Sequence, residues 1–330
     1  MRCTNKRIRR SISLTLAGMI CCVSLSGCSW GTKLEDAYTV DRPGFAILEQ
    51  GEEEEISYFA EDLCVADEDV SAVEADVSDS LAACFFNLDT KEILYAKNVH
   101  ERLYPASTTK IMTALLALEQ EDLDVQATVS KEAITFQESG VSTAKLKEGD
   151  VLTLRQLLYA LLVVSANDAA NVIGEKIAGS TEAFVTMMNE KAVSIGATNT
   201  HFVNPNGLHD EEHYTTAYDL YLMFQEAMKY DVFLEILGTV AYDAAYMSAD
   251  GKEVTASWPS SNQFTKGDVT VPEGIAAVGG KTGTTSAAKC CLVQLFEDGA
   301  GARYVAIILG CSDRAVMYQE MQSFLSSLNN

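Results

Sequence analysis

The sequence predicts an α+β fold in which one sheet is completed by chain segments far apart, with helices inserted between them. Three observations carry this. Short apolar or alternating runs stand early, at residues 81–87 and 92–96, and again late, at 276–280, 290–296 and 303–310. Between these runs the apolar residues recur at helical spacing. A last helical pattern covers 315–328 and closes the chain.

Taken in order, the first two runs are joined by Leu88-Asp89-Thr90-Lys91 and read as a β-hairpin. Pro105 then precedes Ser107, and Ile111, Leu115 and Leu118 follow at helical spacing. Ser107 and Lys110 are therefore expected near the start of a buried helix, three apart on one face. Residues 152–164 form a strongly apolar helix ending just before Ser165. Helices are also expected over 168–177 and 181–195. Residues 196–213 are loop-like, with Asn204-Pro205-Asn206-Gly207 as a turn cluster. Thr216-Ala217-Tyr218-Asp219 has the form of a capping box opening another helix. No internal repeat is visible.

With 330 residues, 48% apolar and 22% charged, the chain can bury a large core. Its formal net charge of -23 argues against a nucleic-acid partner. Residues 1–27 read as a signal peptide. Arg2, Lys6, Arg7, Arg9 and Arg10 make a positive start, and the apolar run 12–25 is too short for a comfortable membrane span. The run ends in Leu25-Ser26-Gly27-Cys28, which resembles the bacterial lipobox. Cys28 is expected to carry lipid and to anchor the chain on the outer face of the cytoplasmic membrane. Residues 28–80 include Glu52-Glu53-Glu54-Glu55 and no sustained period, and read as an acidic, disordered tether. Residues 81–330 are left as the catalytic domain. Of the nine cysteines, Cys64, Cys84, Cys290, Cys291 and Cys311 remain beyond the lipid site, an odd number. Cys84, Cys290, Cys291 and Cys311 lie in apolar strand-like runs, where a free thiol packs as a small hydrophobe, with a Cys84–Cys311 bridge conceivable should those strands pair.

Three strings carry the chemistry: Ser107-Thr108-Thr109-Lys110, Ser165-Ala166-Asn167 and Lys281-Thr282-Gly283. Each alone is weak, since Ser-x-x-Lys recurs at Ser142 and Ser286 and Ser-x-Asn at Ser260 and Ser327. Together they equip a serine acyl-transfer enzyme that uses lysine as its base. Ser107 is the expected nucleophile and Lys110 its base. An ordinary lysine, with pKa ~10.4, must be depressed by burial and a nearby cation to serve at neutral pH. Lys281 is a candidate for that cation, and a candidate for attracting a substrate carboxylate with Thr282. Ser165 is placed as a proton relay between Lys110 and the leaving amine. Asn167 is placed on the substrate amide or on Lys110. The backbone N–H groups of Ser107 and Thr284 are the expected oxyanion hole, with Gly283 letting the substrate backbone come close.

These strings, together with His201-Phe202-Val203-Asn204-Pro205-Asn206-Gly207-Leu208, give the chain from about Leu81 onward a family resemblance. It resembles the low-molecular-mass penicillin-binding proteins, serine-type D-alanyl-D-alanine carboxypeptidases. The resemblance implies a β-lactamase/transpeptidase-like fold, an antiparallel sheet flanked by helices with the site between sheet and helical subdomain. It implies removal of the terminal D-alanine from peptidoglycan stem peptides, inhibition by β-lactam antibiotics, and no metal or organic cofactor. Many such enzymes carry a C-terminal β-rich domain and an amphipathic anchor; here Cys28 is expected to take the anchoring role. Thr284 stands where several relatives have tyrosine or histidine, which leaves fine substrate preference open.

Four other readings compete with this one. A β-lactamase or a D,D-endopeptidase shares the fold and the motifs. His209-Asp210-Glu211-Glu212-His213 fits an inverted zinc-protease string, but that string needs a helix and lies here in a loop-like stretch. A non-catalytic wall-binding lipoprotein would have no use for a lysine in an apolar helix.

Overall fold

The computed structural model describes residues 60–120 and 122–328. The expected signal peptide, Cys28 and most of the expected tether lie outside the described residues. Strands β1 (Val70–Ser71), β2 (Ala82–Asn87) and β3 (Ile93–Lys97) come first. A 3-10 turn, Ala106–Thr109, leads into α1 (Lys110–Leu118). Strands β4 (Gln126–Thr128) and β5 (Val151–Thr153) precede the helices α2 (Leu154–Leu162), α3 (Asn167–Ala178) and α4 (Thr181–Ser194). Helices α5 (Ala217–Ala227) and α6 (Asp231–Leu237) follow, then β6 (Ala241–Met247), β7 (Glu253–Pro259) and the short α7 (Gln263–Lys266). The chain closes with β8 (Ile275–Thr285), β9 (Lys289–Asp298), β10 (Arg303–Cys311) and α8 (Arg314–Ser327).

The main sheet has the order β1-β3-β2-β10-β9-β8 and is antiparallel throughout. The early β2 pairs with the late β10, Cys84 lying opposite Ile307, so the sheet is completed by segments far apart, as expected. Its central strands β2, β10 and β9 are buried on both faces. Ala82, Cys84 and Phe86 of β2 point into the large helical core, while Ala83 and Phe85 point toward α8. Continuous apolar runs are the consequence. Helix α1 has all nine residues buried, which makes it the central helix of that core.

One expectation is corrected. The packed chain starts well before residue 81. Cys64 is fully buried and its N–H donates to Tyr221 Oη at 2.8 Å, β1 pairs with β3, and Asp79 accepts from Ser312 N at 2.6 Å. These contacts are single and irregularly spaced, so the acidic composition concealed them. Cys84, Cys290, Cys291 and Cys311 are free buried thiols, as expected, and so is Cys64; Cys311 lies opposite Cys290 and makes no bridge to Cys84.

A second sheet, β4-β5-β6-β7, was not foreseen. Two of its strands are three residues long, and β6 and β7 expose alternate residues, so none gives a long apolar run. For the same reason the expected helix at 152 begins two residues later. Thr153 ends β5 and caps α2, exchanging hydrogen bonds with Gln156. At α5 only half of the expected capping box forms: Thr216 accepts from Asp219 N, but the Asp219 carboxylate turns to Asn199 N and Thr200 Oγ1. No helix among the described residues is long and apolar enough to cross a membrane.

Candidate active site

All three strings meet where the start of α1, the turn before α3 and the edge strand β8 converge. Ser107 sits in the 3-10 turn rather than in α1 and is the only residue of Pro105–Lys110 not buried. The residue before it, Ala106, has φ 48. That left-handed conformation is disfavoured for a residue with a Cβ. Ser165, at φ 62, is held the same way. Strain at both hydroxyl-bearing turns is the kind that surrounding structure must over-determine.

Lys110 is fully buried and its Nζ has three polar neighbours. It lies 3.0 Å from Ser107 Oγ and donates to Asn167 Oδ1 at 2.6 Å and to the Asn206 carbonyl. Two of the three neighbours can only accept. In a neutral amine both N–H groups are then used, and the lone pair is left facing the Ser107 hydroxyl. Burial lowers the Lys110 pKa well below the ordinary lysine value, and the charge of Lys281 lowers it further. The charge of Asp168 opposes this, and the Asp168 oxygens accept from the backbone N–H groups of Ala144, Leu146 and Ala169.

Lys281 is also fully buried, and burial alone brings it down to about 7. Its Nζ donates to Ser165 Oγ at 2.8 Å and to the Thr282 carbonyl at 2.7 Å. Ser165 thus has its hydrogen bond to Lys281, where the sequence reading had paired it with Lys110. Lys281 also has no exposed surface to offer a carboxylate. The Thr282 hydroxyl faces Ser261 Oγ at 3.1 Å.

Gly283 also serves the packing of the site. A Cβ on it would come within 2.9 Å of Ser107 N and 3.0 Å of the Pro105 carbonyl. Its bareness admits the nucleophile turn itself against β8. Gly207 does the same from the opposite side: at φ 84, its Cβ would fall 1.9 Å from the Ala106 carbonyl. Thr284 is exposed on β8, and Arg314 at the start of α8 donates to its Oγ1 at 3.4 Å. The sequence reading missed Arg314 and Asn206. A cation after the last strand has no spacing signal, and a backbone carbonyl has no residue type to betray it. Asn206 did stand inside the quoted turn cluster.

The zinc string does not assemble. His209 is exposed with its ring edge-on to Tyr104, whereas His213 is buried. Among the described residues no group of three or more His, Cys, Asp or Glu is arranged to hold a metal ion.

Comparison with known proteins gives the family. The family described as D-alanyl-D-alanine carboxypeptidase matches residues 69–313. D-alanyl-D-alanine carboxypeptidase DacF of Bacillus subtilis is 36% identical over 236 residues, covering 70% of this chain but 57% of that protein. DacB2 of Mycobacterium tuberculosis is 34% identical over 226 residues, covering 68% of this chain and 72% of its own length. Among solved structures, the Streptomyces K15 DD-transpeptidase superposes with a TM-score of 0.70 at 30% identity, covering 77% of this chain and all of that one.

Proposed function

Since the chain belongs to the D-alanyl-D-alanine carboxypeptidase family, we propose that it is a serine enzyme of the penicillin-binding class that removes the terminal D-alanine from peptidoglycan stem peptides. The observation that carries this is the placement of the buried Lys110 Nζ, 3.0 Å from Ser107 Oγ with Asn167 Oδ1 and the Asn206 carbonyl as its other two partners, which leaves a neutral amine's lone pair for the Ser107 proton.

Ser107 Oγ attacks the carbonyl carbon of the penultimate D-alanine as its proton passes to Lys110 Nζ. The oxyanion is held by the N–H groups of Ser107 and Thr284. The carbon–nitrogen bond breaks, and the leaving amine takes the Ser165 proton, replaced from Lys281 Nζ. Lys110 then gives up the proton it took and Lys281 regains one, both by exchange with solvent; water attacks the acyl carbon as Lys110 takes its proton, and Lys110 returns that proton to Ser107 Oγ as the acyl–oxygen bond breaks. The carboxylate of the leaving D-alanine is received by the hydroxyls of Thr282 and Thr284 and by Arg314. Asn167 keeps its amide N–H groups for the acyl side of the substrate. β-Lactams acylate the same serine.

The β-lactamase alternative is not favoured. The carboxylate whose charge acts on the reacting lysine, that of Asp168, has both oxygens engaged by backbone N–H groups. For location, the lipobox-like Leu25-Ser26-Gly27-Cys28 supports a lipid anchor on the outer face of the cytoplasmic membrane. Residues 81–330 with the packed segment before them make the catalytic domain.

One experiment tests the function. The purified chain is incubated with a peptide ending in D-Ala-D-Ala and, separately, with penicillin. Mass spectrometry should find free D-alanine in the first case and a penicilloyl group on Ser107 in the second. Absence of both refutes the reading.

A further inference from the structure

His213, left over from the failed zinc string, has no part in the acyl transfer described above. It is 2% exposed and sits in the loop before α5. The N–H of Val203 donates to its Nδ1 at 3.1 Å, so the ring proton is on Nε2. Nε2 lies 2.8 Å from Thr109 Oγ1. That hydroxyl itself donates to the Ala106 carbonyl at 2.8 Å, so Nε2–H must be the donor to it. The three bonds form one directed chain from Val203 to Ala106, with each donor used once. Burial pushes the imidazole down to about 3, which keeps it in this single-proton form near neutrality.

The chain ends on the strained residue beside the nucleophile. Ala106, at φ 48, does not hold its conformation by local preference. Its carbonyl is fixed by Thr109 and packed against Gly207. The loop that orients His213 also supplies the Asn206 carbonyl to Lys110 and the Pro205 carbonyl to Thr113 Oγ1 at 2.6 Å. One loop therefore sets the base directly and the nucleophile turn through an imidazole.

We propose that His213 is a positioning residue for Ser107: through the Thr109 hydroxyl it holds the Ala106–Ser107 turn in the geometry that presents Ser107 Oγ to Lys110. This rests on Ser107 being the nucleophile. His213 touches neither substrate nor reacting atoms, so its loss slows acylation without removing any group that the chemistry uses.

Two substitutions separate its bonds. His213→Asn keeps an acceptor near Val203 N–H, but its amide ends short of Thr109. His213→Gln carries an N–H about as far as the imidazole Nε2. The penicillin acylation rate and the thermal midpoint are measured for each. His213→Asn should acylate about tenfold more slowly, and His213→Gln should recover most of that loss at a similar midpoint. Thr109→Val should slow acylation as His213→Asn does, Thr109→Ser should not, and the double variant His213→Asn/Thr109→Val should be no slower than either single one. The Thr109 pair carries the test should His213→Asn not fold. Wild-type rates in His213→Asn, or equal losses in Asn and Gln that track the midpoint, overturn the proposal. A wild type that penicillin does not label refutes the nucleophile reading instead.

Discussion

Lys281 Nζ donates to the Ser165 hydroxyl at 2.8 Å, across 116 positions of sequence. The site thus contains two amine–hydroxyl pairs, Lys110 with Ser107 and Lys281 with Ser165. Both amines are buried and both are depressed. One pair suits the attacking oxygen and the other the leaving nitrogen.

Ser107→Ala should abolish penicillin labelling and D-alanine release together, while Ser142→Ala and Ser286→Ala should leave both intact. Ser142 Oγ is already committed to the Val164 carbonyl, and Ser286 lies in the exposed turn between β8 and β9. Peptide mapping of the penicilloyl adduct decides the matter; label on either of those serines defeats the assignment.

Lys110→Arg should lose acylation by several powers of ten, because a guanidinium stays charged and has no lone pair for the Ser107 proton. In the wild type the acylation rate should rise with pH and level off below the ordinary lysine range, since burial and Lys281 hold Lys110 low. A stopped-flow pH profile measures this, and a midpoint near 10.4 would contradict it.

Lys281 costs stability as it serves the site. Its pKa falls from 10.5 to about 7 on folding. The unfolded chain therefore binds the extra proton between those values, and stability from this group is complete only above 10.5 and declines as pH falls toward 7. The cost at pH 7 is roughly 4 kcal/mol before the hydrogen bonds to Ser165 and Thr282 offset part of it. Lys281→Met should melt higher than wild type at pH 7 while losing activity, and the gap should close toward pH 10. Calorimetry over that range tests it; a gap independent of pH would mean that the lysine carries no such cost.

His213 should contribute to the acid limb of stability. Its folded value of about 3 lies below the unfolded 6.5, so its contribution is whole above 6.5 and is lost as pH falls through about 3. The loss approaches roughly 5 kcal/mol. His213→Gln should flatten the fall of the melting temperature between pH 6.5 and 3. A limb of unchanged slope would assign it to the carboxylates instead.

Turnover should differ between substrates. Lys110 and the Ser165–Lys281 pair are the bases available to activate water, and they are freed when a small D-alanine leaves. A penicilloyl group stays tethered after ring opening and obstructs the same path. D-Ala-D-Ala peptide should therefore be hydrolysed faster than the penicilloyl adduct is lost, by several powers of ten. Penicillin turnover matching the peptide rate would reveal a deacylating base that the geometry does not supply.

The sequence by itself determined the strands at 81–87 and 303–310, the helices that follow Ser107 and Ser165, and the identity of the three reactive strings. Apolar periodicity and residue type are local quantities, and both are written along the chain. It did not reveal β4 to β7, whose short or half-exposed strands carry little periodicity, nor the packing of residues 60–80, whose buried side chains are isolated. Within the site, tertiary structure alone decided which amine meets which hydroxyl. Lys281 reaches Ser165, and the Asn206 carbonyl fixes Lys110, because β8 and the 204–208 loop close on the nucleophile turn from opposite sides through Gly283 and Gly207. The depressed lysines follow from the same closure. A pKa of about 7 comes from the loss of water around the amine, and that loss exists only once the chain has packed.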